Sequence, residues 1–418
     1  MARALYSLIL VLATPLILLR LLWRARRQPD YLKHLGERWG YYGPRGDGPI
    51  IWVHAVSVGE TRAAQPLIAA LREAWPDHRI LLTGMTPTGR ETAQAVYGND
   101  VTCAYLPYDQ TVAVDRFFRH FSPVLGVLME TEIWPNLLAA AQRRRVPVVL
   151  ANARLSVRSA RGYGRLPALA HPAFAALSAV AAQTPADAGR IEALGAARVS
   201  VCGNIKFDVV PAAEKMALGA QWRTAIGQRP VWLAASTREG EDALILQAWQ
   251  RVGVADALLV LVPRHPQRFA EVAEMLRAAG LDFRRRSDGL PNPKTGVWLG
   301  DSMGEMAAYY ALADLAFVGG SLLPLGGQNL IEAAACGCPV LVGPHTFNFL
   351  KATEDAIAAG AALRVEDAAA LGDCVRQLLS DAPRLAAMRE ATHAFAGAHR
   401  GATSRTVALI RSVLNGGA

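Results

Sequence analysis

Three short segments carry side chains that could move a proton or meet an anion. The first, His54-Ala-Val-Ser-Val-Gly-Glu60, sets a carboxylate at the head of an apolar-periodic stretch through Ala63, Ala64, Leu67, Ile68 and Leu71. A carboxylate in a first helical turn either complements the helix dipole or, at the mouth of a cleft, serves as a base toward a hydroxyl. The second, Met129-Glu-Thr-Glu-Ile-Trp-Pro-Asn136, places Glu130 and Glu132 around Thr131 at the end of an apolar run. Burying carboxylates there is costly unless they are paired or functional, although one of the two could cap the following helix. The third, Gly203-Asn-Ile-Lys-Phe-Asp208, offers Lys206 either to an anionic substrate or to an ion pair with Asp208.

Four more segments follow in the second half. In Ala235-Ser-Thr-Arg-Glu-Gly-Glu241, Ser236, Thr237 and Gly240 suit an anion cradle built of backbone N–H groups, with Ser236 a candidate contact for a donor phosphate or sugar. Val262-Pro-Arg-His-Pro266 puts Arg264 where a phosphate or base can be gripped. Gly300-Asp-Ser-Met-Gly-Glu305 leads into a helix at Met306. Gly319-Gly-Ser321 and Gly326-Gly-Gln-Asn-Leu-Ile-Glu332 precede another helix, with Asn329 and Glu332 three apart on one face. That spacing suits hydrogen bonds to ribose hydroxyls, and a capping box would use the same residue types. The chain lacks the phosphate loop of the P-loop ATPases, the Gly-x-Gly-x-x-Gly of dinucleotide enzymes, the Gly-x-Ser-x-Gly elbow and any Asp-x-Asp pair. Charge on a leaving nucleotide would then be met by Arg, Lys and helix N-termini, with neither cofactor nor resident metal expected.

The elements that position these loops are apolar strands alternating with helical stretches. The first series is Ile50–His54, Arg79–Thr83, Val124–Met129, Val146–Ala151, Ala179–Ala182 and Val199–Cys202; the second is Val231–Ala235, Leu258–Val262, Val297–Leu299, Leu315–Val318 and Pro339–Val342. Such alternation predicts parallel sheets in βαβ units. Two series separated around Pro211–Pro230 predict two doubly wound, Rossmann-like α/β domains, residues 46–215 and 216–418, with the last helix able to cross back to the first. Ligands of open α/β sheets bind beyond the carboxyl ends of the strands. All seven segments fall there, so a site assembled from both halves across a cleft is expected.

Residues 1–45 form a separate predicted segment, an N-terminal membrane anchor with a basic juxtamembrane stretch. Ala4–Leu19 holds sixteen residues without a charge, followed by Arg20, Leu21–Trp23 and the basic run Arg24, Arg26, Arg27. A bilayer span needs about 20 apolar residues, so this stretch either spans with Arg20 snorkelling or lies in the interface, kinked at Pro15. The formal net charge is +9, and residues 1–45 carry eight basic against two acidic side chains. That asymmetry favours an anionic membrane surface over nucleic acid, for which no motif appears. The five cysteines, Cys103, Cys202, Cys336, Cys338 and Cys374, have neither zinc nor redox spacing and read as reduced, mostly buried thiols.

Taken together, HAVSVGE (54–60), MTPTG (85–89), YLPYD (105–109), METEIWPN (129–136), ANARLS (151–156), GNIKFD (203–208), STREGE (236–241), VPRHPQRF (262–269), GDSMGEM (300–306) and the run 317–349 around GGQNLIE resemble the 3-deoxy-D-manno-octulosonic acid (Kdo) transferase family. The resemblance runs from the N-terminal segment to about residue 350. It implies a GT-B fold and an inverting, metal-independent transfer of Kdo from CMP-Kdo to a lipid A precursor, in lipopolysaccharide assembly on the cytoplasmic face of the bacterial inner membrane. By motif, it implies that Glu60 is the general base and that Glu130 and Lys206 stabilise the transition state. Pro263, Arg264, Met303, Gly304, Glu305, Asn329, Leu330, Ile331 and Glu332 match its CMP-binding segments, and Gln328 stands where other forms have His. Competing readings are a nucleotide-sugar epimerase or hydrolase on the same fold, or a membrane-tethered nucleotide-binding scaffold. Neither of these explains the basic anchor and the two acids together.

Overall fold

The computed structural model describes residues 1–416 and divides the chain into two compact units. Unit 1 comprises Met1–Asp208 together with the chain from Arg400 onward, and unit 2 comprises Val209–His399. The first unit thus closes at Asp208, before the expected boundary at 215, and the last helix, Ala402–Asn415, crosses back into unit 1.

Unit 1 holds a sheet of seven parallel strands: β1 (Ile50–His54), β2 (Arg79–Gly84), β3 (Val101–Tyr105), β4 (Leu125–Met129), β5 (Val148–Ala153), β6 (Ala179–Ala182) and β7 (Val199–Val201). Their order is β3-β2-β1-β4-β5-β6-β7. Strands β1, β4, β5 and β6 are buried along their whole length because helices cover both faces. Trp52 lies opposite Gly126 in the register, and a Cβ at Gly126 would come within 2.8 Å of the indole. The missing side chain therefore makes room for the largest one. Unit 2 repeats the architecture with β8 (Val231–Thr237), β9 (Leu258–Pro263), β10 (Phe283–Arg285), β11 (Val297–Leu299), β12 (Leu315–Val318), β13 (Val340–Val342) and β14 (Ala362–Arg364), in the order β10-β11-β9-β8-β12-β13-β14.

In each sheet the order of connection reverses once, between β1 and β4 and between β8 and β12. The carboxyl ends of strands flanking such a reversal diverge into a crevice. Glu60 and Glu130 follow β1 and β4; Ser236 lies within β8, next to its end at Thr237, and Gly319 follows β12.

The helix expected to run from Glu60 through Leu71 is two helices, Val58–Ala63 and Gln65–Ala74, with Pro66 in the first turn of the second. At the N-terminus, helices Ala2–Leu12 and Thr14–Ala25 are bent by 48°. Among the described residues no single helix is long and apolar enough to cross a membrane, though this bent pair passes the test jointly. All five cysteines are free thiols, with Cys202 and Cys338 buried and the other three half-buried.

Candidate active site

In unit 1 the turn after β1 is fixed by a capping box. Ser57 is the N-cap of Val58–Ala63 and accepts the Glu60 amide at 3.3 Å. The Glu60 carboxylate reaches back to accept the Val56 amide at 2.8 Å and the Ser57 hydroxyl at 2.9 Å. The bland role of a helix-start carboxylate is therefore real, but each oxygen keeps a lone pair for a further donor. Burial pushes the Glu60 carboxyl up to about 7, with the Val56 amide opposing and the negative charge of Glu130 adding. A half-buried carboxylate that titrates near neutrality is suited to accept a proton from a hydroxyl.

Glu130 follows β4 with φ 58°, in the left-handed region that a residue with a Cβ rarely adopts. Its carboxylate meets Lys206 Nζ at 2.8 Å, with both side chains largely shielded. Lys206 thus pairs with Glu130, and the ion pair weighed with Asp208 is corrected: Asp208 instead accepts the Gly401 and Thr403 amides at 2.7 and 2.6 Å, at the start of the last helix. Glu132 accepts the Trp134 indole N–H at 2.8 Å, and burial raises its pKa. Neither acid caps the next helix, Pro135–Arg143. Asp109, from another motif, receives its Asn136 and Leu137 amides at 3.0 and 2.8 Å.

Two further residues shape this site and were given no role from the sequence. Asn152, buried and left-handed at φ 53°, accepts the Ile205 amide at 3.1 Å and so fixes the segment carrying Lys206. His54, fully buried, has Nδ1 3.0 Å from the Thr83 carbonyl, and burial lowers its pKa to about 4, leaving a neutral ring. Membership in the quoted segments was the only signal for either.

In unit 2 the loops after β8, β9, β11 and β12 converge on Ser236, which is left-handed at φ 56°. Its hydroxyl lies 3.9 Å from Met306 Sδ, and the next residue's carbonyl, on Thr237, accepts the Arg264 amide at 2.9 Å. Gly319 passes so close that a Cβ there would lie 2.6 Å from the Ser236 carbonyl oxygen. The Gln328 amide donates to Gly319 at 2.9 Å, bringing the segment of Asn329 to the same edge.

The anion cradle expected here is already partly filled. Glu241, fully buried, accepts the Arg238, Gly320, Ser321 and Leu322 amides, and the Thr237 hydroxyl donates to Asp242. Groups left for a ligand are Ser236, Arg264, whose guanidinium forms no ion pair among the described residues, and the exposed Met303-Gly304. Pro263 is buried at the end of β9. Glu305 is held by the Ser302 hydroxyl at 2.5 Å and Arg286 at 3.1 Å. Asn329 is the N-cap of Leu330–Ala335, accepts the Ile331 amide and donates to Glu332 at 3.1 Å. Leu330 and Ile331 bury their side chains, so a ligand would meet them through the backbone. Among the described residues no group of three His, Cys, Asp or Glu is placed to hold a metal ion.

Comparison with known proteins follows the same division. A family model described as 3-Deoxy-D-manno-octulosonic-acid transferase (kdotransferase) matches residues 33–209, and one described as Glycosyl transferases group 1 matches residues 283–395. The chain is 48% identical to the 3-deoxy-D-manno-octulosonic acid transferase of Bordetella pertussis, covering 97% of this chain and 98% of that one. It is 39% identical to the enzyme of the same name from Haemophilus influenzae, covering 99% of each. Among solved structures it resembles a UDP-GlcNAc 2-epimerase from Neisseria meningitidis (TM-score 0.60, 15% identity, 87% of this chain and 100% of that one). A glycosyltransferase from Rickettsia africae is similar to the same degree (TM-score 0.60, 12% identity, 88% and 99%). At such identities the structural likeness shows the fold alone, a GT-B arrangement of two α/β units.

Proposed function

The chain belongs to the 3-deoxy-D-manno-octulosonic acid transferase family, and from that membership we propose that it moves Kdo from CMP-Kdo onto a lipid A precursor by inverting single displacement. Unit 1 supplies the base and unit 2 holds the donor. Glu60 takes the proton of the acceptor hydroxyl as its oxygen attacks the anomeric carbon. The bond from that carbon to the phosphate oxygen breaks, and CMP leaves with the electron pair. The observation that carries this reading is the Glu60 carboxylate, poised near neutrality beside the Glu130–Lys206 pair. Lys206 has a positive charge suited to the donor's carboxylate, and Arg264 one suited to the leaving phosphate. Asn329 and Glu332 suit the ribose hydroxyls, and Glu305 and the backbone of Met303-Gly304 suit the cytosine.

The lipid acceptor implies work at a membrane surface. Helices Ala2–Leu12 and Thr14–Ala25 turn Leu5, Leu8, Ile9, Leu12, Leu16, Leu19, Leu22 and Trp23 outward, while Tyr6, Ser7, Leu10, Thr14 and Leu21 face inward. An apolar outer face with Arg20, Arg26 and Arg27 at its end supports an interfacial seat on an anionic inner-membrane leaflet. An epimerase is not favoured, because the solved epimerase shares only the fold while both full-length relatives are transferases. Incubation of detergent-solubilised protein with CMP-Kdo and a tetra-acylated lipid A precursor tests the proposal. Lipid-dependent release of CMP with a matching gain in lipid mass is expected; lipid-independent release would indicate hydrolysis and sink it.

A further inference from the structure

The YLPYD segment (105–109) ends in a buried acid that the transfer chemistry does not use. Asp109 is 2% exposed, and no cation pairs with its carboxylate among the described residues. One oxygen accepts the Asn136 amide at 3.0 Å and the other the Leu137 amide at 2.8 Å, while its own carbonyl accepts Asn136 Nδ2 at 2.6 Å. These amides open helix Pro135–Arg143, whose N-cap, Trp134, provides no side-chain cap. Glu130 and Glu132 lie immediately before that helix.

Tyr6, on the inward face of the first N-terminal helix, lies near the same carboxylate. Two neighbouring contacts join the same surfaces. Ser7 Oγ donates to Asn136 Oδ1 at 3.1 Å, and Gln110 Nε2 donates to Thr14 Oγ1 at 2.7 Å and to the Leu10 carbonyl at 3.2 Å. The N-terminal helices thus depart from the usual amphipathic rule: their hydroxyls face the protein, while most of their leucines, Leu10 and Leu21 apart, face outward. A mere tether would not spend its polar groups on one strip of the domain.

We propose that Asp109 is a positioning residue that locks the segment Glu130–Trp134 to the inward face of the N-terminal helices, so that their seat on a lipid surface sets where Glu130 stands toward the acceptor. The proposal rests on the lipid-acceptor reading above. Full-length protein on phosphatidylethanolamine–phosphatidylglycerol vesicles tests it through Ser7→Ala, Asp109→Asn and the double variant. Hydrogen exchange over residues 130–138 reads the mechanical link without any transfer. The Michaelis constants for lipid and for CMP-Kdo read its consequence.

Ser7→Ala removes the hydrogen bond to Asn136 and leaves the Asp109 cap of the helix. It should speed exchange over 130–138 and raise the lipid KM by about fivefold, with the CMP-Kdo KM and vesicle binding unchanged. Asp109→Asn should act in the same direction by about tenfold, and adding Ser7→Ala to it should change nothing further. Additive effects of the two substitutions, unaltered exchange over 130–138, or an equal rise in both Michaelis constants would overturn the proposal. If the unaltered chain transfers nothing to lipid, the functional reading fails instead, and the exchange data still decide the link.

Discussion

Glu60 sits between opposing influences: burial disfavours its charge, while the Val56 amide and Ser57 hydroxyl favour it. The balance, near 7, gives two consequences of opposite sense. For catalysis the ionised form is needed, so kcat/KM should rise with pH through an acidic limb near 7. For stability the raised pKa means that the folded state binds the Glu60 proton more tightly than the unfolded chain. Its contribution is therefore fully present below about 4.5 and is lost as pH rises through 7. Glu60→Gln can keep both capping contacts without the charge. It should lower transfer by roughly 10²–10⁴-fold, leave CMP binding intact, and make the protein more heat-stable at pH 8 by on the order of 1–2 kcal/mol, a gain that vanishes at pH 4. A variant that turned over normally would remove Glu60 from the chemistry; a gain that persisted at pH 4 would remove the electrostatic account. The Glu130–Lys206 pair should behave differently. Lys206→Ala leaves a shielded carboxylate alone and should cost roughly 1–3 kcal/mol, whereas Glu130→Gln with Lys206→Met should regain most of that stability but no activity. Urea melts and transfer assays on the three variants separate the two roles.

Among the elements of unit 2, one buried carboxylate organises the loops after β8 and β12. Glu241 opens helix Glu241–Val252 and fills the nest formed by the amides of Gly320, Ser321 and Leu322. Backbone amides arranged this way attract an anion, so the chain's own carboxylate takes the place a phosphate could occupy and pins the loop after β12. Glu241→Ala would orphan three buried amides and the part-buried amide of Arg238. A loss of roughly 2–4 kcal/mol is expected, with a higher KM for CMP-Kdo and an unchanged KM for the lipid; a rise confined to the lipid would contradict this. None of this was legible in the sequence, where Glu241 looked like the end of a cradle for a ligand. What sequence does reveal is depth. Strands buried on both faces, such as Ile50–His54 and Leu258–Val262, announce themselves as unbroken apolar runs. The three strands it missed, β3, β10 and β14, all lie at sheet edges, where half-exposed residues such as Thr102, Cys103 and Phe283–Arg285 break the pattern. The candidate residues on strand ends stood out because their types are unusual there. Asn152, Asp109 and the partner of Lys206 were not, because each acts through a contact between segments far apart in sequence.

At the scale of the whole molecule, the chain passes from unit 1 to unit 2 after Asp208 and returns after His399. The returning helix, Ala402–Asn415, completes unit 1. Ala402 and Ile410 are fully buried in the cluster that also holds Ile51, Leu67, Ile68 and Leu71. Asp208 caps the helix through the Gly401 and Thr403 amides, and Arg405 Nε donates to the Cys202 carbonyl at 2.8 Å. Unit 2 needs nothing comparable: every residue of its buried cluster lies between Trp232 and Met388. The two units should therefore respond unequally to truncation. Residues 209–399 alone should fold cooperatively and bind CMP. A chain ending at His399 should keep that unit but lose unit 1, because stripping the helix exposes several leucine and isoleucine side chains at about 1.5–3 kcal/mol each and leaves Asp208 without the amides it caps. Two thermal transitions, the lower confined by hydrogen exchange to residues 1–208, would bear this out, and a peptide of residues 400–418 should raise that lower transition by binding the folded form. If the shortened chain melted as the full one does, the last helix would be an appendage rather than a part of unit 1's core.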